Sequence, residues 1–558
     1  MTSSWVRVGF ICLLLWHGGA LGASGAKPRQ NAIASAHPAA TAAGREVIEK
    51  GGNAFDAAVA VAAALAVVEP YASGIGGGGF FLLHREADGF ATMVDGRETA
   101  PQEASRDMYL DDDGEFVRSA SLNGPLAAGI PGLPAALAHI QNNYGQLSLS
   151  DTLAPAIRLA REGFAIGPRY SRMAGFRAQA FSASPDGSEI FLKEGAAPAP
   201  GAIIKQPDLA KTLGRLAAQG HDGFYRGELA QRLVSGTRAA GGIWTLDDLA
   251  SYTIVERDVL EGRFHDLKVI SAPPPSSGGV ALIQALKILE RFDYANSTRI
   301  DRIHFTAEAM RHAYRDRAQF LGDPDFIDVP VAWLTSDERA RQWAERIKPE
   351  RAGISAELPP IDAPRGSDTT HFSVFDAAGN LVAATLSVNY PFGATFVPPG
   401  TGVLLNNEMD DFSAKAYTPN AYGLIGAEAN AIAPGKRPLS SMTPTFLVDD
   451  DRVAVIGTPG GSRIISMVLI GTLEFAMGGD AQAIVDAKRF HHQYVPDELQ
   501  FEKNGFSAQE QTALQGRGHV LKERSRNYGN MHVVTWSKKT GAASAASDKR
   551  GEGGWDVW

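Results

Sequence analysis

The sequence predicts a protein that combines α-helices with β-strands, and two features of the chain lead to this prediction. Helical patterns dominate residues 37–69 and 125–350. After a polar, proline-rich segment at 350–367, short apolar runs bounded by turn residues follow one another, and such runs are typical of strands. The composition, with 44% hydrophobic and 21% charged residues, is that of an ordinary globular protein.

The N-terminal segment has the composition of a secretory signal peptide. Arg7 supplies the positive charge, an apolar stretch occupies residues 9–16, and small residues near Ala20 offer a cleavage site. The apolar stretch is too short to span a bilayer, although an uncleaved membrane anchor is the alternative. We therefore expect residues 1–22 to direct export and the mature protein to be secreted or periplasmic.

Cysteine content and charge exclude several classes of function. Cys12 is the only cysteine, and it lies inside the predicted signal peptide. The mature chain therefore has no thiol for a disulfide, a nucleophile or a metal site. The net charge of −9, without a basic patch, argues against a nucleic-acid partner.

Two helices separated by Gly51, Gly52 and Asn53 are predicted within residues 37–69, and the second is apolar almost all round, which indicates burial. The glycine-rich segment that follows, 73–79, formally matches a dinucleotide-binding fingerprint. That fingerprint needs a strand before it and a helix after it, and here the order is reversed. We interpret the segment as a turn in which the backbone passes close to another part of the chain.

The rest of the chain is predicted element by element. A strand at 90–97 ends at Arg97, and helices dominate 125–350, where a turn at 273–279 precedes one of them. The loop 350–367 is the best boundary in the chain. Beyond it we expect five strands, at 371–376, 380–390, 401–407, 443–450 and 452–461. A helix at 466–477 and a surface tail at 549–558 should follow.

Thr369 and Thr370 begin the first strand after the loop. A hydroxyl is a poor nucleophile unless a base removes its proton. At a chain terminus the residue's own α-amine, with an ordinary pKa of about 7.7–8.0, can accept that proton. This chemistry requires scission of the Asp368–Thr369 bond by attack of the Thr369 hydroxyl on the preceding carbonyl. The alternative is an ordinary strand start, since β-branched residues favour strands.

Several long segments, in order and in register, resemble the γ-glutamyltranspeptidase (glutathione hydrolase) family. They include DTTHFSVFDAAGNLVAATLSVN, LLNNEMDDFSAK, KRPLSSMTPT and GTPGGSR, and earlier AFDAAVAVAAAL, DGRETAP and PPPSSGG. The resemblance implies an α+β fold, the four-layer αββα sandwich of N-terminal-nucleophile hydrolases, made as a precursor that cleaves itself. It implies a large subunit at 23–368 and a small, catalytic subunit at 369–558, interleaved in one core.

The resemblance also implies a set of site residues. Thr369 is the expected nucleophile, and Ser387 stands where the family usually has a threonine. Gly460 and Gly461 match the backbone donors of an oxyanion hole. The expected substrate-binding residues are Arg97, Ser440 and Ser441 for the α-carboxylate, Asn389, Glu408 and Asp411 for the α-ammonium, and Tyr422 in a lid loop at 416–437. That loop has an alternative interpretation as an irregular surface loop.

The implied activity is transfer of a γ-glutamyl group from glutathione and other γ-glutamyl compounds to water or to amino-acid or peptide acceptors. No metal or other cofactor is expected, and the expected protein partner is the other cleaved chain of a heterodimer. One alternative is a glutaryl or cephalosporin acylase of the same superfamily, against which the pair Glu408 and Asp411 argues, because a glutaryl group has no ammonium. Another is an exported binding protein that keeps the fold without cleaving.

Overall fold

The computed structural model describes residues 26–358, 369–415 and 427–558. The predicted signal peptide, Asp368 on one side of the predicted scissile bond, and Tyr422 lie outside these ranges.

Strands occur on both sides of residue 368. In chain order they are β1 (Ala32–Ser35), β2 (Gly78–Arg85), β3 (Phe90–Gly96), β4 (Phe164–Ala165), β5 (Ile203–Ile204), β6 (Val255–Arg257), β7 (Leu260–Phe264), β8 (Leu267–Ser271), β9 (Thr370–Phe375), β10 (Leu381–Ser387), β11 (Thr445–Val448), β12 (Arg452–Gly457), β13 (Phe490–His491), β14 (Leu499–Phe501), β15 (Leu521–Glu523), β16 (His532–Ser537), β17 (Ala543–Ser547) and β18 (Gly554–Val557).

Most α-helices precede residue 368. In chain order they are α1 (Pro38–Glu49), α2 (Ala54–Val68), α3 (Arg118–Leu122), α4 (Leu133–Tyr144), α5 (Leu149–Glu162), α6 (Pro168–Phe181), α7 (Pro185–Phe191), α8 (Pro207–Gln219), α9 (Asp222–Tyr225), α10 (Gly227–Ala239), α11 (Leu246–Ser251), α12 (Gly278–Leu289), α13 (Arg299–Phe320), α14 (Val331–Leu334), α15 (Asp337–Ala344), α16 (Ile464–Ala476), α17 (Ala481–Asp486) and α18 (Ala508–Gly516).

Two antiparallel sheets form the centre of the molecule. The first has the strand order β18-β1-β9-β10-β2-β3-β6, and the second has the order β17-β16-β12-β11-β8-β7. Each sheet combines strands from before and after residue 368. The two parts of the chain therefore share both large sheets, whereas the small sheets β4-β5 and β13-β14-β15 lie entirely before and entirely after residue 368.

Side chains alternate between two apolar cores along the strands, as the two-residue period of a strand requires. Phe80 and Leu82 of β2 point into the core between the sheets, whereas Phe81 and Leu83 pack against the helices on the outer face. Helices α1, α2 and α4 cover the first sheet, and α12 and α16 cover the second. The layers therefore run helix, sheet, sheet, helix, which confirms the predicted αββα sandwich.

The predicted pair of helices is present, and α2 is buried along its whole length. Asn53 ends the break between the helices as the N-cap of α2, since its side chain accepts hydrogen bonds from Phe55 N and Asp56 N at 2.8 and 3.0 Å. A cap of this kind stabilises a helix by about 1 kcal/mol. The residues that interrupt the helical pattern therefore also start the next helix.

The glycine-rich segment packs tightly against neighbouring backbone, as predicted. A Cβ on Gly77 would lie 2.1 Å from the carbonyl oxygen of Ser387. No side chain fits in that space, so glycine is required here for close approach. This contact places the start of β2 against the end of β10.

Three predictions about secondary structure were wrong. Residues 401–407 form no strand ladder with any described residue, because their backbone N–H groups donate to three separate segments, at Phe396, Gly76 and Val388. The expected surface tail contains β18, which pairs with β1 and forms one edge of the first sheet. The span 125–350 contains β6–β8 as well as helices. β6 pairs with β3 and β8 pairs with β11, both far away in sequence, and local patterns did not reveal these strands.

Within the described ranges, no helix combines the length and the apolar character that crossing a bilayer requires.

Candidate active site

The two large sheets bring the predicted site residues together at one end of the sandwich. Ser387 at the end of β10 lies opposite Gly78 at the start of β2, and Gly96, which precedes Arg97, lies opposite Gly79. A pocket of about 280 Å³ opens at this end. Its lining comes from both sheets and consists of Arg97, Thr369, Ser387, Asn389, Asp411, Ser440, Ser441, Met442, Gly461 and Ile464.

The two adjacent threonines have different surroundings. Thr370 faces the helical layer, where its hydroxyl donates to Glu69 Oε2 at 2.7 Å. Since side chains alternate along an extended chain, Thr369 is directed to the other side, toward the space between the sheets. Thr369 lines the pocket and is only 5% exposed. Of the two hydroxyls, the pocket therefore contains that of Thr369.

His371 is the nearest histidine in sequence, and its ring is already engaged. Its Nδ1 lies 2.9 Å from Thr385 Oγ1, and its Nε2 lies 3.1 Å from Ser373 Oγ. Burial lowers the pKa of His371 well below its ordinary value. This imidazole is therefore a structural group between the sheets and is not placed to serve Thr369 as a base.

Arg97 is fully buried and lies at the centre of a cluster of carboxyl groups. Its Nη1 is 2.6 Å from Glu408 Oε2 and 3.4 Å from Glu98 Oε2, and its Nη2 is 2.6 Å from Asp411 Oδ2. Burial alone would lower the pKa of Arg97, but these neighbouring carboxylates raise it above its ordinary value. The guanidinium is therefore held as a fixed positive charge.

The carboxyl groups outnumber the guanidinium that they surround. Burial raises the pKa of Glu408 well above its ordinary value despite Arg97, and it raises the pKa of Glu98 to about 7. Glu408 Oε1 accepts no well-aligned hydrogen bond from the described residues. A second cation placed here would stabilise the ionised carboxylates, so the arrangement suits an ammonium group.

Asn389 follows directly from β10 and is fixed by its neighbours. Its backbone N–H donates to Ser387 Oγ at 2.7 Å, and its Nδ2 donates to the carbonyl oxygen of Asn407 at 2.8 Å. Its φ of +72° is in the left-handed region, which asparagine tolerates better than most residues. These contacts connect the end of β10 to the segment that carries Glu408 and Asp411.

Gly460 and Gly461 form the turn between β12 and α16. Gly460 has a φ of +147°, and a Cβ there would lie 2.5 Å from Met467 Cε. Gly461 lines the pocket and starts a 3₁₀ turn, Gly461–Arg463, that leads directly into α16. Backbone N–H groups at the start of a helix are unpaired within the helix and favour negative charge. The turn thus suits an oxyanion.

The segment with Ser440 and Ser441 is held by residues that the sequence did not single out. The backbone N–H and the hydroxyl of Ser277 both donate to the carbonyl oxygen of Ser440, at 2.8 and 2.6 Å. Arg317 on α13 donates from Nε to Ser277 Oγ at 2.9 Å and from Nη2 to Ser441 Oγ at 3.2 Å. Burial lowers the pKa of Arg317 to about 10.

Arg317 makes no ion pair with a described residue. It therefore brings a second buried positive charge to the side of the pocket where the serines lie. No spacing pattern marks Arg317 in the sequence, because it lies 124 residues before Ser441.

A separate group of potential metal ligands lies outside this pocket. Polar atoms of His304, Glu308 and His519 are within 4.8 Å of one another. His304 Nδ1 lies 2.8 Å from His519 Nε2, and Glu308 pairs with Arg311 at 3.2 Å. Polar atoms of all three residues are therefore already engaged, and none of the three residues lines the pocket.

The chain is similar in sequence and in fold to several known proteins. The family model of γ-glutamyltranspeptidase matches residues 40–558. A glutathione hydrolase proenzyme from Pseudomonas sp. (strain A14) is 44% identical over 87% of this chain and 85% of its own length. A solved cephalosporin acylase from Bacillus halodurans has a TM-score of 0.84 at 27% identity and covers 99% of both chains. A solved γ-glutamyltranspeptidase chain from Helicobacter pylori has a TM-score of 0.57 at 39% identity and covers 58% of this chain and 94% of its own.

Proposed function

The chain belongs to the γ-glutamyltranspeptidase family, and on this basis we propose that it hydrolyses glutathione and related γ-glutamyl amides and transfers the γ-glutamyl group to amines. The observation that best supports this proposal is a single pocket that contains Thr369 together with Arg97 and Asp411. A γ-glutamyl group carries both an α-carboxylate and an α-ammonium, and this pocket offers fixed charges of both signs.

Maturation comes first. The Thr369 hydroxyl attacks the carbonyl carbon of Asp368, and the bond from that carbon to the Thr369 nitrogen breaks, which leaves an ester. Water then hydrolyses the ester to give the Asp368 carboxylate and a free Thr369 amine. The products are a large chain that ends at residue 368 and a small chain, 369–558, which remain together because both contribute strands to both sheets.

The substrate's γ-glutamyl end binds in the pocket by its charges. Arg97 and the hydroxyls of Ser440 and Ser441 take the α-carboxylate, with Arg317 behind Ser441. Glu408 and Asp411 take the α-ammonium, with the side chain of Asn389 beside them. Each hydrogen bond to a charged group contributes about 1.5–3 kcal/mol. The substrate's own charges then take over part of the ion pairing that Arg97 makes with the two carboxylates.

Acyl transfer follows from the position of Thr369. Its free amine takes the proton from its own hydroxyl, and the oxygen bonds to the γ-carbonyl carbon. The carbonyl oxygen becomes negative beside the N–H groups of Gly460 and Gly461, and a donor of this kind is worth about 2.7–4 kcal/mol in other enzymes. The C–N bond breaks, and the leaving amine takes the proton from the Thr369 ammonium. Water or another amine then attacks the ester, and Thr369 Oγ is released. The Ser387 hydroxyl accepts a hydrogen bond from the backbone N–H of Asn389 and so helps to hold this end of β10 in place.

Residues 1–22 direct export, so the enzyme works in the periplasm or outside the cell. The family resemblance also assigns to Tyr422, which lies outside the described residues, the role of covering the bound γ-glutamyl group and limiting the access of water.

A cephalosporin or glutaryl acylase is the second candidate, favoured by the full-length similarity to a solved cephalosporin acylase. The two activities are separated by rates on γ-glutamyl-p-nitroanilide and glutaryl-p-nitroanilide, which differ only in the α-ammonium. Because Glu408 and Asp411 need a cation, we expect the γ-glutamyl compound to be the much better substrate. Cleavage of the glutaryl compound alone would favour the acylase. An uncut chain in which Thr369 is intact, with neither activity, would favour a binding protein.

A further inference from the structure

A cleft beside the catalytic pocket has an unusual lining. Its volume, including the solvent-filled space at its open mouth, is about 930 Å³, and its walls combine arginines with aromatic rings from distant parts of the chain. One wall is a single face of α6, with residues spaced three or four apart along the helix. The lining residues are Arg169, Arg172, Met173, Phe176, Tyr390, Pro391, Arg526, Asn527, Tyr528, Gly529 and Arg550.

The arginines of the cleft differ in how far their charge is neutralised. Arg550 pairs with Glu502 at 2.8 Å and with Asp548 at 3.1 Å. Arg172 and Arg526 are exposed and make no ion pair with a described residue. The cleft therefore presents positive charge to solvent at two positions, one before and one after residue 368.

Three contacts join this cleft to the catalytic pocket. Tyr390, in the cleft, is bonded directly to Asn389, in the pocket. The guanidinium of Arg463, which ends the turn begun by Gly461, lies 5.3 Å from the Tyr528 ring centre. Met467 lies between the two sites, because its side chain packs against Gly460 on the pocket side and Gly529 on the cleft side. A Cβ on either glycine would lie 2.5 Å from the Met467 thioether.

The leaving side of glutathione is a short peptide. In glutathione, two residues follow the γ-amide carbonyl, so the terminal carboxylate lies up to about 7 Å beyond the scissile bond. Asn389 lines the pocket and Tyr390 lines the cleft, and their Cα atoms are about 3.8 Å apart, so the two sites adjoin at this point. The amine that leaves and the amine that attacks the ester occupy the same place, because transfer to an amine is the reverse of acylation by an amide.

We propose that this cleft binds the amine side of the reaction, and that Arg172 and Arg526 recognise the carboxylate of the leaving or accepting amino acid or dipeptide. The exposed ring of Phe176 and the half-buried ring of Tyr390, with centres 5.8 Å apart, form the apolar surface against which its side chain packs. This inference rests on the proposed function and adds a preference among its substrates. Amines with a carboxylate are favoured over neutral amines.

The test compares substrates whose γ-glutamyl end is identical. γ-Glutamyl-p-nitroanilide has an uncharged leaving group, whereas γ-glutamyl-3-carboxy-4-nitroanilide and glutathione carry a carboxylate there. For acceptors, glycylglycine is compared with glycylglycinamide. The variants are Arg172→Gln, Arg526→Gln and their combination. The control is Arg263→Gln on β7, which removes the same charge from an exposed site near the opposite end of its strand from the pocket.

We expect each single variant to raise KM for glutathione and glycylglycine about 2- to 5-fold with little change in kcat, as loss of an exposed charge pair predicts. KM for γ-glutamyl-p-nitroanilide should change less than twofold. Arg172→Lys should restore part of the difference, and Arg263→Gln should leave all values unchanged. In the wild type, added salt should weaken the carboxylate-bearing substrates selectively.

Equal losses on charged and neutral leaving groups, or no loss on either, would overturn the proposal for the cleft. A wild-type enzyme that does not cleave γ-glutamyl-p-nitroanilide at all would instead overturn the proposed function. The activity of the wild-type enzyme on the neutral anilide therefore distinguishes failure of the cleft proposal from failure of the proposed function.

Discussion

Arg97 and Glu408 face each other at 2.6 Å inside the protein, although 311 residues separate them and each is almost completely buried. Arg97 follows β3, and Glu408 begins the 3₁₀ turn Glu408–Asp411. Buried ion pairs gain little net stability, because desolvation offsets most of the attraction. Their arrangement beside Thr369 is therefore better explained by substrate binding than by the stability of the fold.

Asp411→Asn tests this interpretation of the charged cluster. The variant removes one negative charge from the ammonium site and keeps the shape of the side chain. We expect normal self-cleavage and a KM for γ-glutamyl-p-nitroanilide about 10- to 100-fold higher, as loss of a charged hydrogen bond predicts.

The matched control is the adjacent Asp410→Asn, because Asp410 accepts a hydrogen bond from Ser121 and does not line the pocket. If Asp411→Asn has the KM of the wild type, the ammonium does not bind there.

Arg317→Lys tests the second buried arginine. Lysine keeps the charge but loses the planar fork that donates to Ser277 and Ser441 together. We expect KM for γ-glutamyl-p-nitroanilide to rise about tenfold, with kcat within a few-fold of the wild type, since one charged hydrogen bond is lost.

Arg315→Lys, two residues earlier on α13, serves as the control for the same chemical change. The informative comparison uses 4-aminobutyryl-p-nitroanilide, which lacks the α-carboxylate and should be insensitive to Arg317→Lys. An equal effect on both anilides would show that Arg317 only stabilises the fold.

His37→Asn tests a pH effect on stability. His37 caps α1 by accepting a hydrogen bond from Ala39 N at 3.1 Å, and burial lowers its pKa from 6.5 to about 4. Between these pH values the unfolded chain binds a proton that the folded chain does not, so stability falls as the pH falls.

Asparagine caps helices well and does not titrate. We therefore expect the wild type to lose about 1–3 kcal/mol more than His37→Asn between pH 7 and pH 4. Thermal unfolding at the two pH values measures the difference. Parallel losses in both proteins would show that His37 does not contribute.

Local sequence patterns predicted the elements that depend on interactions between residues close together in the sequence. The break at Asn53 is a capping signal, and the tight glycine segment reflects close packing of backbone. The missed strand β18 depends on β1, near the other end of the chain, and residues 401–407 donate to carbonyl groups in three separate segments. The position of Thr369 on the side opposite Thr370 became clear only from the hydrogen bond of Thr370 to Glu69.

The family resemblance identified the pocket residues, but it did not predict the contacts that hold them in place. The ion pairs of Arg97 with both Glu408 and Asp411 depend on the three-dimensional fold, and no spacing in the sequence predicts them. The same holds for Arg317, and for the cleft formed by α6 and residues 526–529. Each depends on how the two parts of the chain pack together.

The central claim is that the Asp368–Thr369 bond is cut and that Thr369 becomes the catalytic terminus. Mass spectrometry and N-terminal sequencing of purified, active protein test it most directly. We expect two chains of roughly 37 and 20 kDa, from the mean residue mass of the chain, with the smaller one beginning at Thr369. Thr369→Ala should remain one inactive chain, whereas Thr370→Ala, which loses only the contact with Glu69, should still be cut. Active protein in which this bond is intact would contradict the account.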